Sequence, residues 1–277
     1  MKIQYFGTAA AEGIPAVFCT CSVCRHARYH KGKDIRSRSQ VIIDDELLID
    51  FPPDTFYHAA LRELDFASIH TLLISHDHFD HWFPAELMNR HSAYQTGAEG
   101  VLHVYGNEAV RHSFENHLKA ELYQHQPLDA FVQFHCVHGG ECFRSGKWKI
   151  TAVPADHDKL QECLIYICKK GGKTILYGHD TGACLSEEAR EILEKERYDL
   201  ISLDATMGRE SCPYNHMGLP DVERFLERLR SQGCVDEKTV CIMSHFSHNG
   251  GMTQAELEQW GEEKKILAAY DGMVVWF

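Results

Sequence analysis

Residues 72–81 read LLISHDHFDH, which places an H-x-H-x-D-H signature directly after a short apolar run. The apolar run predicts the end of a buried strand and the residues that follow have the composition of a helix, so the signature lies on a strand-to-helix turn. Side chains on such a turn can converge on one point. We therefore expect His76 and His78 to bind one metal, and Asp80 and His81 to bind a second beside it. The alternative is a polar turn rich in histidine by chance, since the chain has 19 His.

Length, composition and charge limit the classes of protein to consider. The chain has 277 residues, of which 44% are hydrophobic, and a formal net charge of −12. This is enough apolar material for a sizeable core, and no stretch reads as a linker, so we predict a single domain over residues 1–277. The acidic balance argues against an extended nucleic-acid surface. The sequence shows no long apolar segment and its N-terminus reads as a strand, so we expect no membrane contact and a cytoplasmic location.

A second group of metal-binding residue types lies near the N-terminus. Cys19, Cys21 and Cys24 form a C-x-C-x2-C cluster within a loop predicted at about residues 15–30. Three thiolates at this spacing suit a tetrahedral zinc ion that takes its fourth ligand from elsewhere in the chain. Three free thiols or a redox pair are the alternatives. The other cysteines are scattered, which favours reduced thiols over a disulfide framework.

Apolar runs and turn residues predict the remaining elements. We predict strands at 2–6, 40–43, 46–50, 72–74, 101–105, 131–134, 149–153, 163–168, 173–177, 200–203 and 240–243, and helices from the N-cap Asp54 through Leu64 and at 82–90, 109–122 and 220–230. Residues 25–33 are interpreted as a solvated basic loop; the alternative is that Arg36 or Arg38, just beyond it, meets an anionic substrate. Residues 92–147 are expected to form a variable segment that shapes the mouth of the site.

Further polar residues follow the later predicted strands. His157 would supply the third ligand that the first metal lacks, although a lone histidine there is usually structural. Asp180 either caps the next helix or bridges two metals at the short separation that two-metal hydrolysis requires. His216 precedes a predicted helix, and His245 and His248 lie three residues apart past another strand end.

In this order, with metal-binding residues at successive predicted strand ends, the motifs resemble those of the metallo-β-lactamase superfamily. Within it the chain most resembles the PhnP-type cyclic phosphodiesterases, which assist the carbon–phosphorus lyase pathway of phosphonate metabolism. The matching residues are 7–15, the cysteine cluster, the H-x-H-x-D-H signature, His216, 244–248 and 270–273. The resemblance covers about Gly7 to Val274 except the segment 92–147. It implies an α/β (α+β) fold, a four-layer αββα sandwich.

The resemblance also implies roles for individual residues. His76, His78 and His157 would hold one divalent metal, Asp80, His81 and His245 the other, with Asp180 bridging and His248 completing the structural zinc site of Cys19, Cys21 and Cys24. The active-site metals would be manganese or zinc. His216 would act as general acid, and Asp80 would be essential for turnover. The implied reaction is hydrolysis of a small cyclic sugar phosphate, such as 5-phosphoribosyl 1,2-cyclic phosphate, by a hydroxide that the two metals activate.

Other functions share parts of this pattern. PqqB-type coenzyme biosynthesis proteins carry a similar cysteine cluster, and tRNA 3′-processing nucleases share the dinuclear core. Thioester and lactam hydrolases use the same kind of activated water, although the aspartate at position 180 argues against a lactamase. The expected partner is therefore a small phosphodiester, without extended nucleic acid or membrane, and the oligomeric state is open between a monomer and a homodimer.

Overall fold

The computed structural model describes residues 1–61, 65–120 and 128–277. Its strands are β1 (Lys2–Gly7), β2 (Gln40–Ile43), β3 (Leu47–Ile49), β4 (Thr71–Leu73), β5 (Leu102–Gly106), β6 (Val132–Cys136), β7 (Cys142–Ser145), β8 (Trp148–Pro154), β9 (Leu164–Lys170), β10 (Lys173–Gly178), β11 (Leu200–Asp204), β12 (Val240–Ser244), β13 (Leu267–Ala268) and β14 (Val274–Trp276). Its α-helices are α1 (Ser22–His30), α2 (Thr55–Leu61), α3 (Glu108–Ala120), α4 (Glu187–Glu194), α5 (Leu219–Ser231) and α6 (Gln254–Lys264). Short 3-10 helices lie at Gly32–Asp34, Phe66–Ser68, Pro84–Arg90, Leu128–Ala130 and His248–Gly250.

The strands form two mixed sheets. The first has the order β14-β1-β2-β3-β4-β5-β6 and the second the order β13-β12-β11-β10-β9-β8-β7. In the first sheet β3 to β6 are parallel, and in the second β10 to β13 are parallel. The carboxyl ends of neighbouring parallel strands meet at one edge of a sheet, and ligands of open α/β sheets bind outside that edge.

Apolar side chains from both sheets pack into one core between them. Ile43 and Ile49 of the first sheet share this core with Trp148 and Tyr166 of the second. Two further apolar clusters lie on the outer faces, one packed under α4 and α5 and the other under the 3-10 helix Pro84–Arg90 and α3. The layers therefore run helix, sheet, sheet, helix, which confirms the predicted αββα sandwich.

Some local predictions were wrong. The N-terminal part of the predicted basic loop is instead α1, because Val23, Cys24 and Ala27 bury one face of a helix while its basic residues remain at the surface. In place of the predicted helix at 82–90, the structure has a 3-10 helix at Pro84–Arg90. Strands β7, β13 and β14 and helix α6 were not predicted.

Two predicted helices end outside the described part of the chain. Helix α2 is described to Leu61, so the predicted end at Leu64 lies outside the described residues. For α3, described to Ala120, the predicted last residues 121–122 also lie outside them. No helix among the described residues is long and apolar enough to span a bilayer.

The two basic residues considered for substrate binding have structural partners. Arg36 is buried, and its guanidinium donates to Thr8 Oγ1 at 2.7 Å and to the Ala269 carbonyl at 2.8 Å. Arg38 donates to the Asp54 carboxylate at 2.9 Å. Asp54 directly precedes α2, at the predicted N-cap position, and its carbonyl accepts the His58 N–H at 2.9 Å.

One buried hydrogen bond joins the two sheets directly behind the H-x-H-x-D-H signature. The Tyr166 hydroxyl donates to the Ile74 carbonyl at 2.7 Å. We predict that Tyr166→Phe lowers the free energy of unfolding by about 1–3 kcal/mol, because it leaves a buried carbonyl without this partner. Urea denaturation measures the loss. Tyr29→Phe on α1, where the side chain is exposed, is the control and should change stability little; equal losses in the two variants would contradict the prediction.

Candidate metal centre

The candidate site lies where strands of both sheets end. The H-x-H-x-D-H signature follows β4, His157 follows β8, Asp180 follows β10 and His245 follows β12. Asp180 and His245 adopt left-handed backbone conformations with φ of 53° and 62°. Such conformations are costly for residues other than glycine and cluster at functional sites, where the surrounding structure holds them.

The first group of side chains contains three histidines. His76 Nε2 lies 2.8 Å from His78 Nδ1, and His157 Nε2 lies 3.2 Å from the same His78 atom. His76 is fully buried, whereas His78 is partly exposed. Three imidazole nitrogens that converge in this way have the donor type and spacing of a divalent-metal site.

The second group is buried and contains two carboxylates. His81 Nε2 lies 3.2 Å from His245 Nε2, 3.3 Å from Asp80 Oδ2 and 2.6 Å from Asp180 Oδ2. The structure therefore brings one ligand atom from each of Asp80, His81, Asp180 and His245 to within 4.8 Å of one another. Mixed nitrogen and oxygen donors of this kind suit zinc or manganese.

Asp180 contacts both groups. Its Oδ2 is 3.5 Å from His76 Nε2 and 3.4 Å from His245 Nε2, and its Oδ1 is 4.0 Å from His157 Nε2. Among the described residues, buried Oδ1 accepts no hydrogen bond of good geometry, although His216 Nδ1 lies 3.2 Å from it. A buried carboxylate oxygen without a hydrogen bond is costly. The donor set and this oxygen therefore fit a pair of bound cations. Burial favours a higher pKa for Asp180, but His245 and His81 hold that pKa well below its usual range.

The histidine rings are fixed by contacts on their far sides. His81 Nδ1 lies 2.8 Å from Asp50 Oδ2, and His78 Nε2 lies 3.2 Å from Asp158 Oδ2. The other three contacts are Ser75 Oγ to His76 Nδ1 at 2.9 Å, the Asn215 carbonyl to His157 Nδ1 at 3.0 Å, and Thr206 Oγ1 to His245 Nδ1 at 2.8 Å. An oxygen on the remote nitrogen fixes the tautomer and leaves the other nitrogen for a metal. Sequence reasoning assigned none of these five oxygen-bearing residues a role.

His216 lies at the rim of the second group. Its Nδ1 is 3.2 Å from Asp180 Oδ1 and 3.1 Å from Asp204 Oδ2. Burial acts to lower the pKa of His216, but the charges of Asp204 and Asp180 raise it to about 11. Both carboxylates therefore favour the protonated form of the ring. Asp204 was missed by sequence reasoning. It is the last residue of β11, and Asp180 lies two residues after the end of the neighbouring strand β10.

Asp204 and His216 also admit a second interpretation. Together with Asp180 and His245, they form another set whose ligand atoms lie close enough to share a metal. His216 is therefore either a proton donor beside the centre or one of its ligands.

A cavity of about 300 Å³ opens beside these side chains. Asp80, His157, Asp180, His216 and His245 line it together with Glu12, Ser247 and Asn249. Its size suits a small substrate. Another cavity, of about 270 Å³, lies against Leu48, Leu72 and Leu87, but none of the metal-binding groups lines it.

The structure also brings the cysteine cluster to His248. The sulfurs of Cys19 and Cys21 each lie 3.6 Å from His248 Nδ1, and Cys24 completes a group of four. Backbone N–H groups donate to all three sulfurs at 3.4 Å, as expected for thiolates that bind zinc. Glu12 Oε1 lies 3.6 Å from His248 Nε2, the ring nitrogen that does not face the sulfurs.

One thiol of the cluster, that of Cys21, lies at the start of helix α1. Cys21 is the N-cap of α1, and its sulfur accepts the backbone N–H of Cys24. Burial favours a higher pKa for Cys21, but hydrogen bonds from Cys24, Cys19 and His248 lower it to about 6. A thiolate at a helix N-terminus is a ready metal ligand.

Several solved structures share this fold. A diphosphatase from the PhnP family is 22% identical with a TM-score of 0.74, covering 100% of this chain and 97% of that one. Zinc-bound PqqB from Methylobacterium extorquens is 16% identical with a TM-score of 0.75, covering 100% of both chains. The short form of human tRNase Z is 17% identical with a TM-score of 0.67, covering 100% of this chain and 99% of that one. At these identities the similarity shows the fold.

Sequence comparison identifies the family. Among curated proteins, the octanoyltransferase of Porphyromonas gingivalis is 34% identical over 85 residues, which make up 29% of this chain but only 16% of that protein. The sequence model of a family described as the beta-lactamase superfamily domain matches residues 46–246. Because this match covers more than half of the chain and the two-sheet fold agrees with it, the protein belongs to the β-lactamase superfamily, with the fold of its metal-dependent hydrolases.

Proposed function

We propose that this protein is a dinuclear metal-dependent phosphodiesterase that acts on a small cyclic sugar phosphate, such as 5-phosphoribosyl 1,2-cyclic phosphate. The observation that carries the proposal is the position of Asp180, whose two oxygens face the histidines of both groups. A carboxylate in this position holds two cations at the short separation that phosphodiester hydrolysis requires.

The metals would be divided between the two groups. His76, His78 and His157 would hold one cation and Asp80, His81 and His245 the other, with Asp180 between them. Two divalent cations there, manganese or zinc, would supply an acidified water and offset charge on the phosphoryl oxygens.

His216 would deliver the proton that the reaction needs. The two carboxylates beside its Nδ1 keep the ring charged and turn Nε2 away from them, and the ring lines the cavity. A charged imidazole in this place can protonate the departing sugar oxygen, which is a poor leaving group without a proton. Asp204 would orient the ring.

The cavity would admit a sugar rather than a long polymer. Ser247 and Asn249 offer hydrogen bonds and Glu12 an acceptor for hydroxyl groups on the side of the cavity next to the cysteine cluster. The net charge of −12 argues against binding of extended nucleic acid. The partner would therefore be a small phosphodiester in the cytoplasm.

The cysteine cluster would carry a structural zinc. Its four ligands leave no open position, as in zinc sites that stabilise a fold rather than catalyse. The zinc would tie the N-terminal loop to the segment after β12, which also carries His245.

We predict that Asp80→Ala abolishes turnover of bis(p-nitrophenyl) phosphate by manganese-loaded protein, because the second cation loses a carboxylate ligand. Zinc bound by the cysteine cluster should remain, as measured by elemental analysis. Asp77→Ala is the matched control, since Asp77 lies in the same signature but outside the metal-binding groups. Full activity of Asp80→Ala would rule out the dinuclear mechanism.

We predict that His216→Ala slows opening of a five-membered cyclic ribose phosphate by about 10²- to 10⁴-fold, the usual contribution of a general acid. Phosphorus NMR follows the reaction. Bis(p-nitrophenyl) phosphate is the internal control, because nitrophenolate leaves without a proton and its hydrolysis should fall much less. Equal losses with both substrates and a lower metal content would instead make His216 a ligand.

The same assay tests whether a cyclic sugar phosphate is the substrate. If the wild-type protein cuts only the nitrophenyl ester, the phosphodiesterase mechanism stands and the cyclic sugar phosphate is wrong. If neither ester reacts when two metals are bound, a thioester hydrolase or a PqqB-type accessory function replaces the proposal.

For the cysteine cluster, we predict that Cys21→Ser lowers the zinc content by one ion per chain and lowers the thermal midpoint of unfolding, because a three-ligand remnant binds zinc weakly. Elemental analysis and thermal denaturation measure the two effects. Cys184→Ser, at an exposed cysteine outside the metal-binding groups, is the matched control. An unchanged zinc content in Cys21→Ser would show that this cluster holds no structural zinc.

A further inference from the structure

A third group of metal-binding side chains lies at the ends of β5 and β6, apart from both sites already described. These strands are parallel, and Gly106 pairs with Cys136. Glu108 and His138 follow two residues beyond these partners. The parallel register therefore brings Glu108, Cys136 and His138 to one place at the sheet edge, although 28 residues separate the first two along the chain.

The three side chains point their donor atoms at one another. Cys136 Sγ lies 3.2 Å from Glu108 Oε1 and 4.0 Å from His138 Nε2. Arg111 pairs with the other carboxylate oxygen of Glu108 at 2.6 Å, which leaves Oε1 directed at the sulfur. One sulfur, one nitrogen and one oxygen thus lie within 4.8 Å of one another.

Glu162 orients the histidine of this group. Its Oε2 lies 2.9 Å from His138 Nδ1, and its Oε1 accepts the backbone N–H of Gly139 at 2.7 Å. The side chain of Asn107, next to Glu108, donates to the Glu162 carbonyl. A carboxylate on Nδ1 fixes the tautomer and turns Nε2 toward the thiol, as it does for histidines that bind zinc.

We propose that Glu108, Cys136 and His138 form a zinc site with its fourth position open to water or an external ligand. A thiolate, an imidazole and a carboxylate are the three side-chain ligand types that zinc uses, and three protein ligands leave one position free. Binding would release the Cys136 proton, because zinc binds the thiolate. Burial and the hydrogen bond to Glu108 otherwise raise the pKa of this thiol to about 11.

The site would stabilise the loop that carries a ligand of the candidate metal centre. Glu162 ends the segment that contains His157 and Asp158, and Gln161 of this segment accepts the backbone N–H of Asp77 at 2.8 Å. Zinc on His138 would strengthen its bond to Glu162. The metal would therefore fasten this loop to β6 and to the start of α3.

Zinc stoichiometry tests the proposal without reference to catalysis. Chelator-stripped full-length protein is titrated with zinc in the presence of a chromophoric competitor. Cys136→Ser and His138→Gln should each bind one ion fewer than wild type. Cys142→Ser, at an exposed cysteine on β7 outside the metal-binding groups, should bind the same number as wild type. Equal numbers in Cys136→Ser and Cys142→Ser would overturn the proposal.

A second variant keeps all three ligands and so separates binding from folding. Glu162→Gln should lower the affinity of this site for zinc by about 10- to 100-fold, the usual effect of removing the group that orients a ligand histidine. With cobalt in place of zinc, Cys142→Ser should show more thiolate-to-metal absorbance in the near ultraviolet than Cys136→Ser. Identical cobalt spectra, or unchanged affinity in Glu162→Gln, would contradict the site.

Discussion

The buried carboxylate of Asp180 is the constraint on which the site depends. A lone ionised carboxylate is too costly to bury in a protein interior, so it must be compensated by neighbouring positive charge or by metal. Here imidazoles from both sheets surround it, and they come from three different strand ends, those of β4, β8 and β12. The two sheets must therefore pack in one relative position for this charge to be compensated, and the core around Trp148 and Tyr166 holds them there.

The left-handed conformations at Asp180 and His245 follow from the same constraint. Each costs of order 1–3 kcal/mol, and each turns a side chain sharply toward the centre just after a strand. The energy to hold them comes from the buried strands behind and from the hydrogen bonds that fix the rings. Thr206 illustrates this, since its hydroxyl contacts both the ring nitrogen and the carbonyl of His245.

Much of the fold and the convergence of the metal-binding residues could be predicted from the sequence, because apolar runs mark the strands and the signature residues follow them directly. The predicted residues His157, Asp180 and His245 do meet the signature in space, although their binding of metal stays a prediction. Asp50 and Asp204 were missed because they act through other side chains and occupy no recognisable spacing. Helix α1 was missed because only three residues of its short apolar face are buried, and the charged residues around them dominate the pattern.

The segment after β12 connects the two predicted metal sites. His245 faces the candidate metal centre, and His248 faces the cysteines only three residues later. Between them Phe246 exchanges backbone hydrogen bonds with the N-terminal loop, at 2.8 Å to the Thr8 carbonyl and 3.0 Å from the Ala10 N–H. A tetrahedral metal on His248 would fix the end of this segment, so it would restrict the backbone that places His245. Glu12 lies beside His248 and also lines the cavity. It therefore connects the cysteine cluster to the surface that a substrate would touch.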